Sequence, residues 1–363
     1  MSPSPKPLVR KRAIAAAKSV VKIEMVAQMA GVSASTVSRI LNGTAVVSAA
    51  KKLAVDAAIA RLGFVPNPMA RSLAGGRSLS VGIITQAVDS PFYGMAMRGI
   101  EVQLDAAGYS PLFVSGHWHA DEEARCIETL RARRVDGIIV LTGRLSDAAL
   151  RTCAKTLPVV VTGRTLKAPN LASLNFDNFE GARLATQHLL DLGHRDIAFI
   201  TGDLAHPDAN ERLRGYHVAH ELAGLEVNPL LVVPGTFLED SGLAAVERLL
   251  QIGQGFSAIF GANDQMALGA SLALHRRKIR VPQDVSVVGF DDLPLSRFAT
   301  PPLTTVHYPA NELGQMAAAA MLQMLRGEKP LTAVPVPRLV VRESAQRFAP
   351  RATTLSVLNG PPR

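Results

Sequence analysis

At 363 residues, 48% hydrophobic and 19% charged, the chain has an ordinary globular balance and the length for two or three domains with full cores. Its net charge of +9 is unevenly placed: residues 1–77 hold twelve Lys or Arg against only Glu24 and Asp56, whereas the remainder holds 27 basic and 28 acidic side chains. A basic head on a near-neutral body is the footprint of a polyanion-binding module, and two cysteines, Cys126 and Cys153, are too few for a disulfide framework or a cysteine metal site.

The first segment, 1–19, reads as a disordered basic arm, with added phosphate contacts as its functional alternative. Its Ala13–Ala17 run is cut by Lys18, so it lacks a secretory apolar core, and no later run is apolar enough to span a membrane. A cytoplasmic protein without membrane contact is expected.

In residues 20–63, Ile23, Val26, Ala27 and Ala30 share one face of a first helix; the Gly31-Val32-Ser33 break follows, then Val37, Ile40 and Leu41 mark a second. Ser33 suits the N-cap of that second helix. The pair reads as a helix-turn-helix, with a plain solvated hairpin as the alternative. The second helix presents Ala34, Ser35, Ser38, Arg39 and Asn42 outward; small residues let it sit deep in a major groove, and Arg39 supplies the fork that matches guanine O6 and N7. A third helix opens at Ser48, with Leu53, Ala57, Ile59 and Leu62 as expected core residues and Gly63 as its stop. Residues 64–77, bracketed by prolines and glycines, hold one or two turns of helix too short to persist alone in water. They could fold on a partner surface, with Leu73 as an apolar wedge between base pairs, or serve as a plain linker.

From residue 78 buried strands alternate with amphipathic helices: strands near 79–85, 110–115, 137–141, 159–162, 171–175, 197–201, 230–233, 258–261 and 285–290, with helices between most of them. Two successive rounds of this alternation predict two α/β lobes facing a common cleft. The first lobe is expected to take about 78–175 and 309–330, the second about 176–308 and 331–347; 348–363 reads as a disordered tail without heptads. No GxGxxG follows a strand, and there is no P-loop and no GxSxG, so nucleotide chemistry and an α/β-hydrolase lose support. No cofactor, metal or catalytic set is expected.

Taken together, VAQMAGVSASTVSRILNG, GFVPNPMARSLAGG, DSPFYGMAMRGIE, GHRDIAFITGD, ERLRGY, GANDQMALGA, VPQDVSVVGFDD and PPLTTVHYP resemble, in order, the lactose/galactose repressor (LacI/GalR) family over roughly residues 21–347. ANERLRGY and GFDDLPLSRF look nearer the galactose-repressor branch than the purine-repressor branch. The resemblance implies an all-α helix-turn-helix head on a two-lobe effector domain like the type I periplasmic binding proteins. It further implies a homodimer that folds its hinge on double-stranded operator DNA and closes its lobes on a small molecule, most plausibly a sugar. Such a protein is a repressor of carbohydrate-utilisation genes and not an enzyme; a purine or other metabolite as effector, or a sugar receptor of the same two-lobe fold, are the alternatives.

By matching position, the resemblance places base reading on Ala34, Ser35 and Arg39. Backbone contacts fall on Ser33, Thr36, Ser38, Asn42 and Asn67, and the intercalating residue is Leu73, with Ala70 in the same DNA-binding hinge. Lys22 departs from the family, which usually caps its first helix there with Thr or Ser; a weaker cap or a phosphate contact follows. The effector positions fall on Phe92, Tyr93, Asp208, Arg212, Phe237, Asn263 and Asp291. A sugar wants fixed polar partners for its rim, here Arg212, Asn263 and Asp291, and an aromatic platform for its C–H face, here Phe237 and Phe92. His206 stands where some relatives use Arg for an anionic corepressor, which disfavours an acidic effector; an exposed loop histidine is its other reading. The segment Arg164–Asn170 is expected near the cleft. If the hinge assignment holds, Leu73→Ala weakens operator binding and leaves effector affinity intact; equal losses in the two titrations would sink it.

Overall fold

The computed structural model describes residues 21–42, 47–64 and 77–349, with the side chain of Asn42 outside that set. They fall into two units divided between Ser78 and Leu79.

In the first unit, helices α1 (Ile23–Ala30), α2 (Ala34–Asn42) and α3 (Ala49–Leu62) enclose Val26, Ala27, Val37, Val55 and Ala58, with Ile23, Ile40, Leu41, Ile59 and Leu62 packed around them. Ser33 caps α2: its Oγ accepts the Thr36 N–H at 3.2 Å. Lys22 holds the cap position of α1 with no side-chain hydrogen bond, so that helix enters without a polar cap. The expected core of α3 needs correcting. Leu53 is 70% exposed and Ala57 is exposed as well. The buried stripe is Val55, Ala58, Ile59 and Leu62, at i, i+3, i+4 and i+7, and residues two positions from Val55 lie about 200° round the helix from it.

The second unit is built on two sheets. Strands β1 (Ser80–Thr85), β2 (Ser110–Ser115), β3 (Gly137–Val140), β4 (Val159–Thr162) and β5 (Leu171–Leu174) form a parallel sheet in the order β2-β1-β3-β4-β5. Strands β6 (Ile197–Ile200), β7 (Val232–Val233), β8 (Ala258–Gly261), β9 (Ser286–Asp291), β10 (Thr304–His307) and β11 (Arg338–Val340) form the other, in the order β11-β10-β9-β8-β6-β7, with β11 antiparallel to β10. Strands such as GIIV (β3), IAFI (β6) and AIFG (β8) are buried throughout, as parallel strands covered on both faces must be.

Between the strands run α4 (Pro91–Ala106), α5 (Ala120–Ala132), α6 (Asp147–Ala154), α7 (Asn178–Asp191), α8 (Pro207–Leu222), α9 (Glu239–Ile252) and α10 (Asp264–Arg276). Several carry their own caps: Ser146 Oγ accepts Ala149 N–H, Asp177 accepts Glu180 N–H and Asn263 accepts Met266 N–H. Periodicity places no element beyond Phe290, whereas the structure adds β10, a helix α11 (Ala310–Leu325) and β11. Although it follows the second sheet in sequence, α11 packs on α4 and against β3, β4 and β5 of the first, and β11 then returns to the second. The lobes are thus joined by crossings after β5, after β10 and after α11. No helix among the described residues is long and apolar enough to cross a membrane.

The α4–α11 contact is made backbone to backbone. A Cβ on Gly99 would lie 2.0 Å from the Asn311 carbonyl oxygen, and one on Gly314 would lie 2.1 Å from that of Ala96. Gly99→Ala should therefore force the helices apart and cost about 1–3 kcal/mol, read as a lower urea midpoint; an unchanged midpoint would mean the helices are not in contact there.

Candidate functional site

On the head, the N-terminal turn of α2 gathers hydroxyls. Ser33 Oγ lies 2.8 Å from both Ser35 Oγ and Thr36 Oγ1. Ser33, Ser35 and Arg39 are exposed, while Ala34, Thr36 and Ser38 are half-buried. A helix N-terminus fringed with hydroxyls and carrying an exposed arginine one turn on suits a polyanion. The expected hinge residues Asn67, Ala70 and Leu73 lie outside the described residues, as does the side chain of Asn42.

In the second unit the carboxyl ends of the strands of both sheets face one cavity of about 640 Å³. Phe92, Tyr93, Asp208, Arg212, Phe237, Asn263 and Asp291 all line it. Arg212, on α8, is its most constrained group. Its Nε donates to Asn178 Oδ1 at 2.9 Å, its Nη1 donates to the Ala262 carbonyl, and its guanidinium lies 3.8 Å from the Phe290 ring centroid and 5.8 Å from that of Phe237. Asp291 Oδ1 stands 3.5 Å from Nη1 and, among the described residues, has no hydrogen-bond donor although it is buried. Burial pushes the Asp291 carboxyl well above its ordinary range against the pull of Arg212; the Asp208 carboxyl is raised the same way, and the Tyr93 phenol is held neutral by burial and by these carboxylates.

Asn263 is already committed at both ends of its amide. Oδ1 caps α10, and Nδ2 donates to the Phe237 carbonyl at 2.9 Å. Its main work is to hold Phe237, whose φ of +67° is a left-handed conformation that a bulky side chain avoids. Gly202 makes room for that ring: a Cβ there would lie 2.0 Å from Phe237 Cζ. Phe92 packs edge-on against Tyr93 and Tyr308, with centroids 5.3 and 4.8 Å away.

One expectation changes and one is narrowed. His206 is not an exposed loop residue; it is buried, its ring 3.7 Å from that of Trp118 and its Nε2 3.3 Å from Asp203 Oδ2. Burial lowers its pKa more than Asp203 raises it, which favours the neutral ring. The segment from Arg164 to Asn170 lies near the cavity, as expected, without lining it: the Asp208 carboxyl in the wall, which burial raises, is pulled down by Arg164 as well as by Arg212. Arg164 donates to the Leu145 and Gly143 carbonyls, Leu166 is buried in the core beside β4, and Ser173 Oγ both accepts from Leu166 N–H and donates to its carbonyl. These bonds hold the segment against its own lobe.

A model of the lacI family of bacterial regulatory proteins matches residues 22–67, and one of a periplasmic binding protein-like domain matches residues 186–345. The ribose operon repressor of Escherichia coli (strain K12) is 38% identical over 303 residues, which are 83% of this chain and 92% of that protein. The chain belongs to the lacI family. The HTH-type transcriptional repressor PurR of Haemophilus influenzae is 34% identical over 331 residues, 89% of this chain and 98% of its own. Among solved structures, the lac repressor dimer bound to operator and the anti-inducer ONPF matches with a TM-score of 0.80 at 31% identity, over 90% of this chain and 99% of that one. The CelR–cellobiose complex matches with a TM-score of 0.67 at 35% identity, over 90% of this chain and all of that one. The ribose operon repressor and PurR are comparably similar to this lacI-family chain.

Trp118, Arg144, Asp203 and Gln265 also line the cavity of this lacI-family protein; Asp203 and Gln265 fall within GHRDIAFITGD and GANDQMALGA without having been given a role there, and Trp118 and Arg144 fall in none of the quoted motifs. Asp264, next to Asn263, is the hidden support. It is fully buried and accepts from Leu293 N–H at 2.7 Å and from the Ser296 and Thr305 hydroxyls at 2.5 Å each, pinning the loop that carries Asp291 and Asp292. Those two aspartates have φ of +110° and +57°. Burial pushes the Asp264 carboxyl up to about 6, against its hydrogen bonds.

A carboxyl that holds its proton longer in the folded chain than in the unfolded one, where it ionises near about 3.9, takes stability away as pH rises through that window. Asp264 should cost about 2 kcal/mol between pH 4 and 6. Urea midpoints for Asp264→Asn should accordingly fall less steeply over that range than for the parent chain; parallel profiles would contradict it.

Proposed function

We propose that this chain is a cytoplasmic, homodimeric, sequence-specific DNA-binding repressor of carbohydrate-utilisation genes, controlled by a neutral sugar or sugar derivative bound between its α/β lobes. The observation that carries the sugar reading is the buried Asp291 Oδ1 without a hydrogen-bond donor beside Arg212 in the cavity wall. A buried acceptor left unpaired is costly, and a ligand hydroxyl can supply the missing donor. Arg212 Nη2 makes no protein hydrogen bond among the described residues and is the adjacent donor for a hydroxyl oxygen. Phe237 offers the apolar face that a pyranose or furanose ring needs.

Charge argues for a neutral effector. The lining has three acidic side chains, Asp203, Asp208 and Asp291, against two guanidiniums, Arg144 and Arg212, and Arg144 is already paired with Asp203. A phosphate or carboxylate ligand would be surrounded by acidic groups with Arg212 as its one available cation in the wall among the described residues. The purine alternative draws on the aromatic walls, Phe92, Tyr93, Trp118 and Phe237, which could stack on a flat base. Dimerisation and operator binding are supported by family membership and by the exposed, hydroxyl-fringed α2.

Control requires differential affinity. The effector must bind the form that grips the operator poorly more tightly than the form that grips it well, or the reverse for a corepressor; equal affinity would shift nothing. Thermal shifts over sugars and purines should select the effector, a ligand at 100 times its Kd adding about 2.7 kcal/mol. With an operator selected from random DNA, Arg39→Ala should cost about 1–3 kcal/mol and relax preference at one base pair; uniform weakening on every sequence would make Arg39 a phosphate contact. In the Arg212→Ala variant operator affinity should no longer respond to the effector, and a surviving response would place the effector elsewhere.

A further inference from the structure

Two cavity residues of the first lobe, Trp118 after β2 and Arg144 after β3, touch the second lobe directly. Arg144 Nη2 donates to Asp203 Oδ2 at 3.0 Å, and the Trp118 ring packs on that of His206 with centroids 3.7 Å apart. Asp203 Oδ2 also lies 3.3 Å from His206 Nε2. On the first-lobe side the Trp118 N–H donates to Gln86 Oε1 at 2.9 Å, and Gln86 Nε2 donates to the Thr142 carbonyl at 2.7 Å. Thr142 stands two residues before Arg144, so the contacts close on themselves. They form a clasp that passes once through each lobe.

The loop that carries Arg144 is held group by group from inside its own lobe. Thr142 N–H donates to Thr162 Oγ1 at 3.0 Å, and Arg164 takes the carbonyls of Gly143 and Leu145. Glu123, on α5 and 0% exposed, takes the N–H groups: Arg144 N lies 2.9 and 3.0 Å from its two carboxylate oxygens, and Leu145 N lies 2.8 Å from Oε2. The approach is close enough to require glycine on both neighbouring loops. A Cβ on Gly143 would lie 2.6 Å from Glu123 Oε2, and one on Gly116, just before the Trp118 turn, 2.4 Å from Glu123 Cγ. Thr142 itself has φ of +34°, a conformation a β-branched residue keeps only where its surroundings over-determine it.

We propose that Glu123 is a positioning residue for the effector site: it sets the loop from which Arg144 reaches Asp203, and through that contact holds the two lobes at the distance at which both touch a ligand. This rests on the reading of the cavity as the effector site. A partly exposed ion pair between two mobile side chains is worth little, because ordering them offsets the attraction. Here the backbone beneath Arg144 is ordered beforehand. A chain whose lobes are held together only part of the time binds a two-lobe ligand with an affinity reduced by that fraction, so loosening the loop weakens binding without touching a ligand contact.

Trp118 is the only tryptophan in the chain, so quenching of its emission by acrylamide reports how open the clasp is without any ligand. Glu123→Gln keeps the side-chain shape but sets an amide N–H2 where an oxygen accepts a backbone N–H. It should raise the quenching constant about twofold or more, as should Arg144→Ala and Asp203→Ala, which leave the core alone. Gly143→Ala, which presses a methyl onto Glu123 Oε2, should act as Glu123→Gln does. The deciding comparison is a double-mutant cycle: in an Asp203→Ala background Glu123→Gln should add nothing further, whereas a residue that only supports the fold would add its full effect in both backgrounds. Equal effects in the two backgrounds overturn the proposal, as does unchanged quenching in Arg144→Ala and Asp203→Ala. Calorimetry with ribose as probe should show affinity falling about threefold or more in the same variants. Ribose affinity that stays at the parent value while quenching rises refutes the role at the effector site and spares the cavity reading. Ribose binding that survives Arg212→Ala refutes the cavity reading and the proposal with it. A parent chain that does not take up ribose tells against the sugar reading, and the quenching cycle then decides the clasp by itself.

Discussion

The Arg212 guanidinium, 4% exposed, has to find partners for its charge within the protein, because an unpaired charge removed from water costs several kcal/mol. It does so by drawing on segments far apart in sequence: Asn178 at the start of α7, the carbonyl of Ala262 at the end of β8, and Asp291 at the end of β9, with the face of Phe290 beneath it. One side chain thereby fixes the relative positions of the strand ends that make the rim of the second lobe. Asn178 also stands directly after the crossing from the first lobe, so the same residue couples the rim to a segment on which the lobes would turn.

The rest of the cavity is arranged around that fixed charge. Phe237, Asp291 and Asp292 sit in left-handed backbone, and each is held by bonds from outside its own turn: Asn263 on the Phe237 carbonyl, Asp264 on the Asp291–Leu293 loop, and His307 and Arg342 on the Asp292 carboxylate. Burial alone would raise the Asp292 pKa; the Arg342 and His307 contacts reverse it, leaving that carboxylate charged, whereas Asp291 has only a distant Arg212 and is raised. Two adjacent aspartates thus have separate tasks, one locking the loop and one facing the cavity. Such pre-organisation spares a ligand the cost of ordering its own site.

Much of this was legible in the sequence because it is local. Helix faces at Ile23–Ala30 and Val37–Leu41, the Ser33 cap and the alternation of apolar runs with amphipathic helices all follow from side-chain periodicity over a few residues. So does the failure at α3, where several apolar residues compete for one face and only the stripe through Val55 is compatible with both neighbouring helices. The seven expected cavity residues came from matching motifs, not from periodicity. What stayed hidden is non-local: Trp118 and His206 lie on different lobes, Gln86 supports Trp118 from another strand end, and Asp264 reads as an ordinary helix-start acid until Ser296 and Thr305 are seen to close on it. Arg164–Asn170 lies near the cleft, as its place in the family order implies, but nothing in its spacing shows that Ser173 ties it to its own lobe.

The crossing of α11 back to the first lobe bears on how the protein is made. The first sheet is encoded by residue 174, yet the helix that covers it begins at Ala310, and its glycine-to-backbone contact with α4 cannot form earlier. At a synthesis rate of roughly 5–20 residues per second, the nascent first lobe waits on the order of ten seconds with an apolar sheet face and the small-residue side of α4 uncovered. The second lobe has most of its strands in hand before that helix emerges. Both lobes are therefore closed only by the last segments to emerge, α11 on the first and β11 on the second, and the unfinished first lobe is the stage at which a chaperone would find apolar surface to hold.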